Sequence, residues 1–177
     1  MTEMSPPRRA KMIFITGGAR SGKSRYAQQL ALERSDSPIY VATARIWDAD
    51  FRDRVDRHRQ DRDERWTLLE EEKWLSRLPL GGKVAVIDCV TLWITNFFAD
   101  LKSDIDACLA ACEQEIEGLL RQDTQLLVIS NEIGMGLHAD TESGRKFTDL
   151  QGWINQSFAA KADEVIFMVS GLPLQVK

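Results

Sequence analysis

The residues best placed to do chemistry are an eight-residue turn, Gly17-Gly18-Ala19-Arg20-Ser21-Gly22-Lys23-Ser24, and the carboxylate of Asp88. Glycines at both ends of the turn let the backbone approach a ligand where a Cβ would block it. Successive N–H groups can then converge on phosphate oxygens, reinforced by the N-terminal end of a following helix. Lys23 would put a point charge on the β and γ phosphates, and the Ser24 hydroxyl could bind Mg²⁺. Asp88 closes an apolar run, where the second carboxylate of a phosphate-and-magnesium site belongs. One histidine also attracts attention. Phe51, Val55, His58 and Arg62 follow at i, i+4, i+7 and i+11, so a helix would set them on one face.

The elements needed to position the turn are legible. Met12–Thr16 reads as a buried strand ending at the glycines, and a helix is expected from Lys23 to about Arg34. Further strands are expected at 39–42, 84–88, 125–130 and 165–169, the last stopped by Gly171 and Pro173. Helices are expected at 105–121 and 142–161. The strand segments are continuously apolar rather than alternating, which means both sheet faces are covered. Strand, G-x4-G-K-S and helix in that order make the turn a P-loop. The expected fold is therefore α/β, a doubly wound, mostly parallel sheet of the P-loop NTPase (RecA-like) kind. Residues 1–11 are expected to form a flexible leader and residues 12–177 one nucleotide-binding transferase domain.

Composition sets outer limits. The 177 residues are 44% hydrophobic and 28% charged, with a net charge of -4. That balance suits a globular domain and argues against a general nucleic-acid or membrane-surface binder. No apolar run is long enough to span a bilayer. Cys89, Cys108 and Cys112 are too few and scattered for a disulfide framework, so reduced thiols in a cytoplasmic protein are expected. Seven arginines and seven acids between positions 45 and 65 cancel, as on a solvated helix with internal ion pairs.

Several blocks together resemble the bifunctional adenosylcobinamide kinase / adenosylcobinamide-phosphate guanylyltransferase family of cobalamin biosynthesis. They are Thr16 through Ser24, Tyr40-Val41-Ala42-Thr43-Ala44, Arg54-Val55-x-x-His58-Arg59-x-x-Arg62, and Asp88-Cys89-Val90-Thr91-Leu92-Trp93 with Asn96. Ser130-Asn131-Glu132-Ile133-Gly134-Met135-Gly136, Gly152-x-x-Asn155-Gln156 and Ala162 through Leu174 complete the set.

The resemblance implies phosphorylation of adenosylcobinamide by ATP or GTP. It also implies guanylylation of a histidine by GTP, with transfer of that GMP to adenosylcobinamide phosphate. His58 matches the nucleophile and, with Lys23, forms the implied catalytic pair. Nucleotide contacts are implied for residues 17–24 and Asp88, for Ala42, Thr43 and Ala44, and for Gln60, Asp61, Arg62 and Asp63. Glu71 is the favoured contact among the run Glu70-Glu71-Glu72. Ser24 and Asp88 are the implied Mg²⁺ pair, and a homotrimer is implied.

Two positions depart from the family pattern. Thr148 stands where arginine is common, and Leu137-His138-Ala139-Asp140 replaces a loop that often carries Val-Pro, on the expected corrinoid side. His138 has no comparable block and reads as an incidental loop residue. The competing functions are a monofunctional P-loop small-molecule kinase, with His58 structural, and a non-catalytic nucleotide switch.

Overall fold

The continuous apolar runs become the inner strands of a seven-stranded sheet in the computed structural model, which describes residues 9–45 and 63–177. The strands are β1 (Lys11–Gly17), β2 (Ile39–Ala42), β3 (Thr67–Glu70), β4 (Val84–Asp88), β5 (Gln125–Asn131), β6 (Glu164–Val169) and β7 (Leu172–Gln175). The helices are α1 (Lys23–Arg34), α2 (Val90–Asp100), α3 (Ile105–Leu120) and α4 (Glu142–Lys161), with a 3-10 turn at Leu75–Arg77. Strand order is β3-β2-β4-β5-β1-β6-β7, and every pairing is parallel except that of β7 with β6. This is the doubly wound, mostly parallel α/β fold expected.

Side-chain alternation sorts the core into two layers. Met12, Phe14, Val41, Ile87 and Val128 face α2, α3 and α4, which contribute Trp93, Ile116, Ile154 and Phe158. Ile13, Ile15, Val86, Leu127 and Ile129 face α1 through Ala27 and Ala31. The small alanines let α1 lie close against the sheet. Among the described residues no helix is long and apolar enough to cross a membrane.

Two strands were not expected. β3 is an edge strand of four residues with three of them exposed, so it carries no apolar run to read. β7 is exposed at all four positions. Gly171 and Pro173 do not end the sheet: Ser170 and Gly171 form a turn with positive φ, and Pro173 sits opposite Met168 on an edge where its missing N–H is tolerated. β1 also opens one residue early, at Lys11, inside the span expected as leader, and Ala10 is buried with its N–H donating to the Leu120 carbonyl.

The α4 face is joined to the sheet by aromatic stacking. The Phe158 ring lies 5.7 Å from Phe14 at an interplanar angle of 3°, and 6.1 Å from Trp93. Phe158→Ala should cost about 3–5 kcal/mol, as expected for an aromatic deleted from a core. Urea unfolding of the ligand-free protein measures this, and a loss under about 1 kcal/mol would contradict the packing described.

Candidate active site

The P-loop leaves β1 at Gly17 and enters α1 at Lys23. Its shape depends on two backbone contacts. A Cβ at Gly17 (φ 152°) would lie 2.6 Å from the Met168 carbonyl oxygen of β6. Gly22 (φ 94°) packs on Gly171, where a Cβ would stand 3.2 Å from Cα, and the Gly171 N–H donates to the Ser21 carbonyl at 2.9 Å. The unexpected β6–β7 turn therefore braces the loop from behind. The N-termini of α1 and α2 have no side-chain cap, whereas Asp104 caps α3 and Thr141 caps α4, and that of α1 opens from the loop itself. The uncapped N–H groups are left for an anion.

The loop forms one wall of a cleft of about 590 Å³ lined by Arg20, Lys23, Arg25, Asp88 and Asn131, among others. Lys23 is only 6% exposed, and its ammonium donates to the Gly18 carbonyl at 2.6 Å and to the Ser21 hydroxyl at 3.4 Å. Burial holds its pKa below the ordinary lysine value, partly opposed by the neighbouring Cys89 and Asp88. Arg20 and Arg25 have no acidic partner among the described residues. Three cations against one carboxylate make the cleft a site for a polyphosphate anion.

Asp88 projects from β4, separated from β1 by β5. Its Oδ2 accepts from the Ser24 hydroxyl at 2.7 Å and from the Tyr40 hydroxyl at 2.7 Å. Mg²⁺ takes oxygen ligands, keeps several waters and is bound through one or two carboxylates plus phosphate oxygens. A serine hydroxyl already touching a carboxylate at the mouth of an anion cleft fits that requirement. Among the described residues no cluster of three or more His, Cys, Asp or Glu could hold a metal ion. The Cys89 thiol also borders the cleft, but burial and then Asp88 push its pKa up to about 12, which leaves it protonated and a poor nucleophile.

The other expected contacts fall into different groups. Thr43 is fully buried; its hydroxyl donates to the Cys89 carbonyl at 2.8 Å and accepts the Cys89 N–H at 2.9 Å. Asn96 donates to the Thr43 carbonyl at 2.9 Å. The Thr43 side chain thus braces the segment after Asp88, and Ala42 and Ala44 on either side are half-buried. The Glu71 carboxylate accepts the N–H groups of Lys73 (2.9 Å) and Trp74 (2.8 Å), closing a turn after β3, while Glu72 pairs with Arg45 at 2.6 Å. Asp63 is exposed and pairs with Arg65 at 2.6 Å. The helix face expected for Phe51, Val55, His58 and Arg62, and the expected contacts Gln60, Asp61 and Arg62, lie outside the described residues.

Sequence reasoning missed Tyr40, Asn131 and the Ser170–Gly171 turn as parts of the site. Tyr40 carried a signal, an aromatic with a polar tip in an otherwise aliphatic strand, since a buried phenol needs a partner. The Trp66 ring meets it edge-on at 6.0 Å. Asn131 is opposite Gly17 in the β1–β5 register and donates through Nδ2 to the Thr91 hydroxyl at 3.1 Å.

The two loop glycines should respond differently to substitution. Gly17→Ala meets backbone and should lower stability by about 1–3 kcal/mol or more. Gly18→Ala has nothing within 4 Å and should stay within about 0.5 kcal/mol of wild type. Equal urea midpoints for the two ligand-free variants would contradict the loop geometry.

The sequence profile of one family, described as cobinamide kinase / cobinamide phosphate guanyltransferase, matches residues 13–176. The chain is 36% identical over 181 residues to the bifunctional adenosylcobalamin biosynthesis protein CobU of Escherichia coli (strain K12), covering 94% of this chain and 99% of that protein. It is also 36% identical over 172 residues to the bifunctional adenosylcobalamin biosynthesis protein CobP of Pseudomonas aeruginosa, covering 93% and 96%. The CobU protein of Salmonella typhimurium is 33% identical over 183 residues, covering 94% and 99%.

Proposed function

The chain belongs to the cobinamide kinase / cobinamide phosphate guanyltransferase family of adenosylcobalamin biosynthesis, and we propose that one cleft, between the P-loop and Asp88, seats the purine triphosphate for both transfers. The observation that carries this reading is the convergence of the uncapped α1 N-terminus, the buried Lys23 ammonium and the Ser24–Asp88 pair on one cavity.

In the first transfer the γ-phosphoryl of ATP or GTP passes to the aminopropanol hydroxyl of adenosylcobinamide, and the nucleoside diphosphate leaves. Loop N–H groups and Lys23 hold the phosphates in line and neutralise charge as it builds on the leaving oxygens. Ser24 and Asp88 would hold Mg²⁺, which supplies further charge neutralisation at the phosphate oxygens. Tyr40 keeps the Asp88 carboxylate turned toward Ser24.

In the second transfer a histidine nitrogen attacks the α-phosphorus of GTP, pyrophosphate leaves, and the GMP then moves to the phosphate of adenosylcobinamide phosphate to give adenosylcobinamide-GDP. A neutral imidazole is a competent nucleophile near pH 7, and covalent catalysis divides a difficult displacement into two. The assignment of His58 to this role rests on its match to the family block. By the same resemblance the guanosine lies near residues 42–44 and 60–63. The enzyme is read as a homotrimer by resemblance and as cytoplasmic from its few, scattered cysteines.

Covalent labelling tests the proposal. Protein mixed with Mg²⁺ and GTP labelled at the α-phosphate, then denatured, should retain label in an acid-labile, alkali-stable bond. His58→Ala should retain none while still phosphorylating cobinamide, and Lys23→Ala, with its fold checked by thermal melting, should lose both reactions. Full labelling of His58→Ala would remove that residue from the nucleophile role. No retained label in the wild type, with kinase activity present, would favour the monofunctional kinase.

A further inference from the structure

The sheet carries a second group of cations at its other end. The P-loop stands at the carboxyl ends of the strands. At their amino ends, about 20 Å away along β1, a concavity of about 650 Å³ opens beside the end of α1. Its floor is three neighbouring strands in register. Lys11 of β1 and Val84 of β4 both lie opposite Gln125 of β5, and Lys83 stands one residue before β4. Lys11 and Gln125 alternate with Met12 and Leu126, so they share the α1 face of the sheet with Ile13 and Leu127. Arg34 and Ser35 end α1 over this floor. Arg9 stands at the rim, where its guanidinium donates to the Lys161 carbonyl at the end of α4.

Four cations here meet one carboxylate, that of Asp123. Elsewhere Arg45, Lys73, Lys146 and Lys161 are each paired with an acid, but among the described residues no ion pair engages Lys11, Arg34 or Lys83. Arg34 needs no ligand to account for it, because the last turn of a helix favours a cation. Lys11 and Lys83 have no such reason. Only β5 separates their strands, which puts their main chains about 10 Å apart. Like charges gathered around one concavity repel, and in a chain of net charge -4 they are not the background of a basic protein. A bound anion removes that repulsion. The lining narrows the choice of anion. Val84 is the one apolar side chain at the cleft among the described residues, it is buried, and no aromatic ring is present, so a purine base has nothing to stack on. The Gln125 amide has no partner among the described residues and adds a neutral donor to the floor.

We propose that this cleft binds a small inorganic polyphosphate anion, of the di- or triphosphate class, at a site separate from the nucleotide cradle. The phosphate oxygens lie between the Lys11 and Lys83 ammonium groups, the Arg34 guanidinium meets them from the end of α1, and Gln125 donates from the floor. β1 and α1 each send one end to the cradle and the other end to this cleft. The anion therefore ties together the far ends of the two elements that form the P-loop. The site stands whatever the cradle transfers.

Calorimetric titration with pyrophosphate, in chelator and about 0.15 M salt, tests it on three proteins: wild type, Lys23→Ala and the double variant Lys11→Glu with Lys83→Glu. The wild type should take up two anions per chain, one at each cleft, and each altered protein one. Charge reversal should weaken the distal event about tenfold or more, the scale of lost charge-assisted hydrogen bonds. It should leave the Kd for GDP with Mg²⁺ within about twofold, because the two clefts lie more than a screening length apart. Retained GDP uptake also shows that the variant is folded; if it is lost, Lys11→Gln with Lys83→Gln decides by the same readouts. A single uptake in the wild type that the lysine variants leave unchanged overturns the proposal. So does displacement of the distal anion by equimolar sulfate, which shows only a general attraction to positive charge. Absence of the cradle event with the distal one retained counts against the nucleotide reading and supports this site.

Discussion

The site depends on a close approach of two backbones. Gly17 passes so near the Met168 carbonyl that no side chain fits between them, and Gly22 lies against Gly171. Those contacts set the path of the chain from β1 into α1, and that path determines where the loop N–H groups point. A phosphate cradle made of main-chain amides cannot be adjusted by rotamers, so its precision comes from the sheet behind it. β1 is held on both sides by parallel neighbours, β5 and β6. The chain then returns through β7, and Lys177 donates to the carbonyls of Ala160 and Ala162 at the end of α4, at 3.1 and 2.7 Å. That contact ties the segment after β7 to the end of α4.

Electrostatics completes what the backbone begins. An ammonium as buried as Lys23 is costly without a counter-charge, and its lowered pKa expresses that cost. Cys89 and Asp88 oppose that lowering only in part. A polyphosphate supplies the missing negative charge and favours the protonated lysine. The cleft is therefore preorganised for its ligand at some expense to the empty protein, a usual feature of sites that stabilise developing charge. Asp100, bound by Arg45 and Lys73 at the rim of the fold, is held well below the usual carboxylate range by those hydrogen bonds, but it is exposed and contributes little to stability.

The parts legible in the sequence were those that bury apolar surface or need glycine. The five inner strands appear as uninterrupted apolar runs, and the P-loop glycines stand between a run and a helix pattern. β3 and β7 were not legible because edge strands with exposed residues leave no periodic signal, and a Gly-x-Pro sequence usually ends an element. The consequence is local: the turn missed at Ser170–Gly171 is the one that braces the cradle. Nucleotide contacts at Thr43 and Glu71 were implied by the resemblance alone. The structure adds that the Thr43 hydroxyl is engaged with Cys89 and the Glu71 carboxylate with the turn at Lys73 and Trp74. Sequence position could not show those bonds, since a polar group next to a strand end can shape the chain or face a ligand.

Calorimetric titration of the purified chain with GTP, with Mg²⁺ and then with excess chelator, tests the central claim most directly. The account predicts saturable uptake of one nucleotide per chain that weakens when Mg²⁺ is removed and disappears in Lys23→Ala. No heat of binding at millimolar GTP or ATP with Mg²⁺ present would contradict it, whatever the covalent chemistry of the histidine.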